Sequence, residues 1–181
     1  MLFRLNINQT EEDYFNFNRF HATETPQGKK SIKKAHIIFV LGIAMLMAII
    51  VLLEGWTTFT VICAVILGLH SVFYFVTYKK TVVKNLRKQI KRLKETGKLP
   101  FDPVSTFEFH EDKLVEITED THTERKYASI ERVCVFKDCY IFLYNSSVTA
   151  YVLPISQIRA QVNQEDFIRF LSQKCNTVEY Y

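Results

Sequence analysis

The side chains of this 181-residue sequence that could do chemistry are few and scattered. Five histidines stand at positions 21, 36, 70, 110 and 122, and four cysteines at 63, 134, 139 and 175. Zinc centres draw their ligands from short, regular spacings in turns or along one helix face. Neither set has such spacing, so a metal site would have to be gathered from separate segments. Two acidic pairs, Glu111-Asp112 and Glu119-Asp120, have the residue types for general acid and base work. Each falls where a hairpin tip is expected, and solvated turn charges are the simpler reading. No nucleophile stands beside a base and no glycine-rich loop could cradle a phosphate. The expectation is a non-enzymatic protein with no catalytic residues, no metal and no cofactor. Cys134 and Cys139 could face each other across a hairpin, but ordinary core thiols in a reducing compartment are the expectation.

One polar group is out of keeping with its neighbours. His70 lies well inside an apolar run, about 10 Å from the end of its helix at the α-helical rise. Polar groups in hydrocarbon are costly and often functional. A neutral imidazole bonded to a neighbouring carbonyl, Ser71 or Thr77 accounts for it without function; a proton-linked or partner-binding role is the sharper alternative.

The elements that would position these groups begin with two apolar runs, Ala35 to Leu53 and Phe59 to Thr77, separated only by Glu54-Gly55-Trp56-Thr57-Thr58. Each run reaches about 28 Å as a helix, close to a hydrocarbon core of about 30 Å. The mean hydropathy of zero therefore averages a membrane hairpin with polar segments. The first run starts far from the N-terminus, is too long for a signal-peptide core and has no small-x-small cleavage site after it, so it reads as a span.

The net charge of +4 is just as uneven. Lys29, Lys30, Lys33 and Lys34 precede the hairpin, residues 79 to 98 carry +8, and residues 99 to 181 carry -5. Basic residues near span ends stay on the cytoplasmic side, so both termini are expected in the cytoplasm of a plasma-membrane protein. Lys79, Lys80, Lys84, Arg87, Lys88, Lys91 and Arg92 lie where the second helix emerges. There they are expected to meet anionic lipid headgroups rather than nucleic acid. Ala44 and Ala48, with Ala64, Gly68 and Ser71, form small-residue faces that let backbones approach within a bilayer. The expectation is that they pack the hairpin on itself, with a homo-oligomer interface as the alternative.

Outside the hairpin the periodicity alternates between two and three to four. Phe3, Leu5 and Ile7 alternate with polar residues as in a half-buried strand. Thr10 and Asp13 then form a variant capping box for an amphipathic aromatic helix, expected to stop at Pro26-Gln27-Gly28. The basic segment keeps helical spacing through Val83, Leu86, Ile90 and Leu93 to a stop at Gly97 and Pro100. Candidate strands follow at 104–109, 113–118, 124–130, 132–136, 139–144 and 148–153, an antiparallel meander covered by a last helix capped by Asn163. The expected organisation is a cytoplasmic strand and helix over 1–34, a two-span transmembrane hairpin over 35–78, a basic juxtamembrane helix over 79–98 and an α+β cytoplasmic domain over 99–181.

The chain resembles the YcxB-like family of small bacterial membrane proteins. The resemblance rests on Thr10-Glu11-Glu12-Asp13-Tyr14 with Phe17-Asn18, on Lys29-Lys30 and the two spans, and on a C-terminal block. That block runs Phe107 to Asp112, Tyr127 to Val133, Tyr140 to Tyr144 and Val152 to Pro154. Many members place a base after the late proline, where this chain has Ile155-Ser156-Gln157. The resemblance implies a pleckstrin-homology-like (PH-like) domain, a bent antiparallel sheet closed at one end by the C-terminal helix, and no known reaction. The seventh strand of that fold could come from Leu2 to Asn8, across the hairpin. The function expected is a regulatory or interaction module at the inner membrane face, with an unidentified membrane or cytoplasmic protein as partner. The alternatives are self-protection against a toxin or bacteriocin and an oligomerising accessory subunit of a transporter.

Overall fold

The computed structural model describes residues 1–97 and 101–181; Lys98 and Pro100, at the end of the expected basic helix, lie outside them. The chain forms two compact units, one of Met1–Asn18 with Ile90–Tyr181, the other of Arg19–Gln89. Helices α1 (Glu11–Thr23) and α3 (Thr58–Glu95) run from one unit into the other, and α2 (Pro26–Glu54) lies wholly in the second.

Helices α2 and α3 are each long and apolar enough to cross a membrane. The helix expected to stop at Pro26-Gln27-Gly28 does end just ahead of it, at Thr23, and the proline also starts the next one. Pro26 occupies the first turn of α2, where a missing N–H costs nothing, and the Thr25 hydroxyl caps that turn by accepting from the Gly28 N–H at 3.1 Å. Gly28 has a second reason to be glycine: a Cβ there would sit 2.3 Å from the His21 carbonyl oxygen, so the corner between α1 and α2 closes only without one. At the far end Gly55, at φ +67°, takes a conformation that L side chains rarely adopt and ends α2. The Thr60 hydroxyl donates to the Gly55 carbonyl at 2.7 Å and tightens the turn. The two helices meet through rings, with Phe39 and Tyr74 stacked at 3.8 Å between centroids. As the periodicity predicts, α3 carries on through the basic stretch without a break.

The other unit is built from two four-stranded sheets rather than the single six-stranded sheet expected. The first runs β1 (Phe3–Asn8), β2 (Val104–Phe109), β3 (Lys113–Ile117), β4 (His122–Lys126). The second runs β7 (Ala150–Pro154), β6 (Tyr140–Tyr144), β5 (Arg132–Phe136), β8 (Val178–Tyr180). The strand expected over 124–130 ends at Lys126 because the chain must turn the corner between sheets. It does so in the single 3-10 turn Tyr127–Ser129, with the Tyr127 hydroxyl anchored on the His110 carbonyl at 2.9 Å. Strand β8 was not legible in the sequence, and it pairs with β5 in parallel.

Strand β1 does join the C-terminal sheet. It pairs antiparallel with β2 from Phe3 opposite Phe109 to Asn8 opposite Val104, which sets Leu5 against Phe107 and Ile7 against Ser105 on the inner face. Arg4 and Glu108 face outward as an ion pair at 3.8 Å, as alternation requires. The free edge of β1 is covered by side chains of the short helix α4 (Ile155–Arg159) and the residues after it. The Gln157 amide accepts from the Asn8 N–H and donates to the Asn8 carbonyl, both at 2.8 Å. Gln161 does the same to Asn6, at 2.8 and 2.9 Å. Two glutamines thus stand in for a neighbouring strand and satisfy backbone groups that would otherwise form a sticky edge.

The core lies between the sheets. Helix α5 (Gln164–Lys174), capped as expected by Asn163, plugs the end where Phe3 and Phe109 meet Phe167 at 5.4 and 4.9 Å between centroids. Strand β6 is buried on both faces. Ile141 and Leu143 point into the core, while Phe142 and Tyr144 meet Phe17 of α1 at 5.4 and 5.8 Å. Helix α1 thereby forms a third layer. The β5–β6 hairpin turns at Lys137 and Asp138, both at positive φ, as a type I′ turn demands. Arg159 and Gln164 hold the Asp138 carboxylate and keep it below the usual carboxylate range, Gln164 contributing most.

Since Leu5 is fully buried in the shared core, Leu5→Ala should cost the sheet unit about 2–5 kcal/mol. Leu2→Ala, at an exposed site, should cost less than about 0.5 kcal/mol. Urea denaturation of the full chain in detergent, followed by near-ultraviolet circular dichroism, measures both. Equal and small effects would show that β1 does not belong to the C-terminal sheet.

Candidate functional site

At the end of the sheet unit away from α5, the structure leaves a cavity of about 290 Å³. Its walls come from α1 (Tyr14, Phe17, Asn18), from the approach to β2 and that strand (Phe101, Asp102, Ser105, Phe107), from Glu116 of β3, and from the β6–β7 turn with Tyr151 of β7. Helix α1 is fixed there by local chemistry that the sequence announced. The Asp13 N–H donates to the Thr10 hydroxyl at 3.2 Å and the Thr10 N–H to the Asp13 carboxylate at 2.8 Å, the reciprocal pair of a capping box. The second oxygen of Asp13 accepts from the Tyr140 hydroxyl at 2.9 Å, which ties the start of α1 to β6. Burial and this bond push the Tyr140 phenol up to about 12. Lys94, near the end of α3, adds an ion pair to Glu11 at 2.5 Å.

Aromatic rings and two carboxylates line the space, together with neutral amide and hydroxyl side chains such as Gln9, Asn18, Asn145 and Thr149. Tyr14 and Phe101 stack at 5.3 Å between centroids, and Phe107 meets Tyr151 edge to face at 5.3 Å. Against these rings stand the carboxylates of Asp102 and Glu116, and no basic side chain is among the described lining residues. Glu116 lies on the inner face of its sheet, directly opposite Phe107 on β2. Burial pushes its carboxyl above the usual range and the Asp102 charge adds to this, whereas Arg125 and the Tyr151 hydroxyl pull it back. Arg125, on the same sheet, donates from Nε to the Tyr151 hydroxyl at 2.8 Å and so latches β4 to β7.

The residues singled out from the sequence fall elsewhere. Lys79, Lys80, Lys84, Arg87, Lys88, Lys91 and Arg92 are all exposed on α3, and Lys91 reaches Glu95 at 3.9 Å. The small residues do not form the seam of the hairpin: Ala44, Ala48, Ala64 and Gly68 are exposed, and a Cβ at Gly68 would meet nothing within 4 Å. The expectation that they pack the hairpin on itself is therefore corrected. The described contacts between the two helices are made by larger rings, Phe39 with Tyr74 and Phe75, and His36 with Tyr74, Phe75 and Tyr78. Ser71 alone is half-buried, with its hydroxyl on the Leu67 carbonyl at 2.8 Å. His70 is exposed, and the hydroxyls suggested as its partners are spent on the helix's own carbonyls, Ser71 on Leu67 and Thr77 on Phe73 at 2.8 Å.

The sequence passed over a different histidine. His36 packs edge-on against Phe75, Tyr78 and Tyr74 at 4.8, 5.0 and 5.8 Å, and its buried Nε2 has no hydrogen-bond partner. Its place directly after the lysine cluster, at the edge of the apolar run, disguised it. Glu111-Asp112 and Glu119-Asp120 are exposed at the β2–β3 and β3–β4 turns. Cys139 is exposed at the hairpin turn and so is no core thiol, while burial pushes Cys134 up to about 12 and Cys175 up to about 11.

A carboxyl raised by folding favours the proton-bound form in the folded state. Its contribution to stability is complete below the unfolded carboxylate pKa and is lost as pH rises through the folded value. Glu116→Gln should therefore raise the melting temperature of the ligand-free protein by a few degrees near pH 7, a gain that shrinks to nothing near pH 4. Thermal melts of both proteins across that range measure it, and a gain independent of pH would show that Glu116 carries no buried charge.

No curated protein and no solved structure matches the chain. Residues 109–171, from the last residue of β2 to Leu171 in α5, match the family model described as YcxB-like protein. The match takes in Glu116, Arg125 and Tyr151 but leaves α1, Phe101 and Asp102 outside it. Over residues 109–171 the strand-rich C-terminal stretch of this chain is similar to the YcxB-like family.

Proposed function

We propose that this chain is a non-enzymatic integral membrane protein of two spans, whose PH-like domain on the cytoplasmic side is a regulatory module that binds a partner at the inner membrane face. The observation that carries the reading is the β1–β2 ladder, which builds one sheet from the chain before the first apolar helix and the chain after the second. A sheet of that kind requires both flanks in one compartment. The lysines ahead of the first span and the exposed bases of α3 favour the cytoplasm. The same bases, held near an anionic leaflet, each contribute about 1 kcal/mol to membrane association. The sheet domain itself is acidic, which disfavours headgroup binding through a basic pocket and favours a ligand or protein partner instead. The outward-facing Ala44, Ala48, Ala64 and Gly68 are free to meet a second membrane helix, from another copy or from a different protein.

Reporter fusions test this reading. Green fluorescent protein at either terminus should fluoresce, and alkaline phosphatase inserted between Glu54 and Thr58 should be active while the same enzyme at either terminus is silent. Phosphatase activity from either terminus, or a purified chain that stays soluble without detergent, would overturn it.

A further inference from the structure

The cavity beside α1 combines features that select one ligand chemistry. Its two carboxylates, Asp102 and Glu116, share the space with no basic lining residue among those described. Arg125, whose charge reaches Glu116, is committed through Nε to the Tyr151 hydroxyl. An anion entering would meet two like charges; a neutral group could use the amides and hydroxyls of Gln9, Asn18, Asn145 and Thr149 but would leave both carboxylates as they are. A cation would relieve them. The rest of the wall says which kind. Tyr14, Phe101 and Tyr151 present ring surface, and aromatic faces attract organic cations with their electron-rich quadrupoles, most strongly where water is excluded. Metal ions would instead need three or more ligating side chains together, and no such group gathers among the described residues. The volume of about 290 Å³ lies at the low end of ligand pockets and suits a small molecule or a headgroup rather than a peptide segment.

We propose that this cavity binds a small organic ammonium group, its charge set between Asp102 and Glu116 and its carbon substituents against Tyr14, Phe101 and Tyr151. The proposal deepens the reading of the sheet unit as a binding module and rests on it. The ammonium comes either free from solution or on a zwitterionic lipid headgroup. In both cases the recognised chemistry is the same, a positive nitrogen with apolar substituents. One wall of the cavity is α1, whose chain leads directly into α2.

The test uses the full chain in non-ionic detergent, with choline and ethanolamine as probes and 3,3-dimethylbutan-1-ol as the uncharged counterpart of choline. Calorimetric titration at constant ionic strength should show binding of at least one ammonium probe and at least tenfold weaker binding of the alcohol. Glu116→Gln should weaken the ammonium probe at least tenfold, with Tyr14→Ala weakening choline by a similar factor. Glu119→Gln, at the exposed turn, should bind as the unaltered chain does. A melting curve verifies that each variant is folded, and should Tyr14→Ala fail to fold, Tyr14→Leu replaces it. Repeating the titration in nanodiscs separates the sources. Weaker choline binding in phosphatidylethanolamine than in phosphatidylglycerol discs identifies a competing headgroup, and equal binding identifies a free amine. Equal affinity for choline and its uncharged counterpart, or no heat from either ammonium probe, would overturn the proposal. Because the titration does not depend on orientation in the cell, its failure leaves the reporter-fusion result standing, and the converse also holds.

Discussion

The pairing of β1 with β2 is the constraint on which the molecule depends. The chain leaves the sheet at Asn8 and returns to it at Val104, and everything in between must bring it back in register. A flexible loop of that length would cost several times RT to close. Two long antiparallel helices avoid much of that loss by returning the chain along their own axes. The same pairing bears on membrane topology, because an odd number of crossings would separate the two strands by a bilayer, whereas a hairpin of two candidate spans leaves them together. The N-terminal strand thus joins the two flanks of the hairpin into one sheet.

A strand recruited from so far away becomes a sheet edge, and its outer ladder of N–H and C=O groups needs partners. Gln157 and Gln161 supply them with two amide pairs, each as donor and acceptor. An i, i+4 spacing puts both amides on one side of the chain, about 6 Å apart, close to the repeat of two residues along a strand. A lysine at position 157 could not take over this role, because an ammonium has no acceptor for the Asn8 N–H.

What the sequence announced and what it hid divide along physical lines. Strands at 104–109 and 132–136 were legible to the residue because alternation is local and each is bounded by turn residues. The capping box at Thr10 and the cap at Asn163 were legible for the same reason. Strand β8 was not, because Val178-Glu179-Tyr180 is too short to show a period and exists only through the partner it finds in β5. The division into two sheets was hidden in the corner at Tyr127, whose role is set by a carbonyl far back at His110. Likewise, which side of α2 and α3 forms the seam is decided by ring stacking between distant residues such as Phe39 and Tyr74. Small-residue spacing alone pointed to the wrong face.

The cavity was hidden for a more informative reason. Across the inner face of the first sheet the row reads Leu5, Phe107, Glu116, Thr123, with the first two residues buried and apolar and the third a carboxylate. Alternation assigns that third position to the core, so an acidic side chain there breaks the pattern that makes the rest of the strand fold. Leu or Val would fill the space and remove an electrostatic cost. The cost is not cancelled within the structure: Arg125 only partly offsets the upward push on Glu116, and Asp102 adds to it. A sheet that keeps a charge where hydrocarbon would be more stable is arranged for something other than its own stability. The helix that walls this site is also the one whose chain enters the first apolar helix.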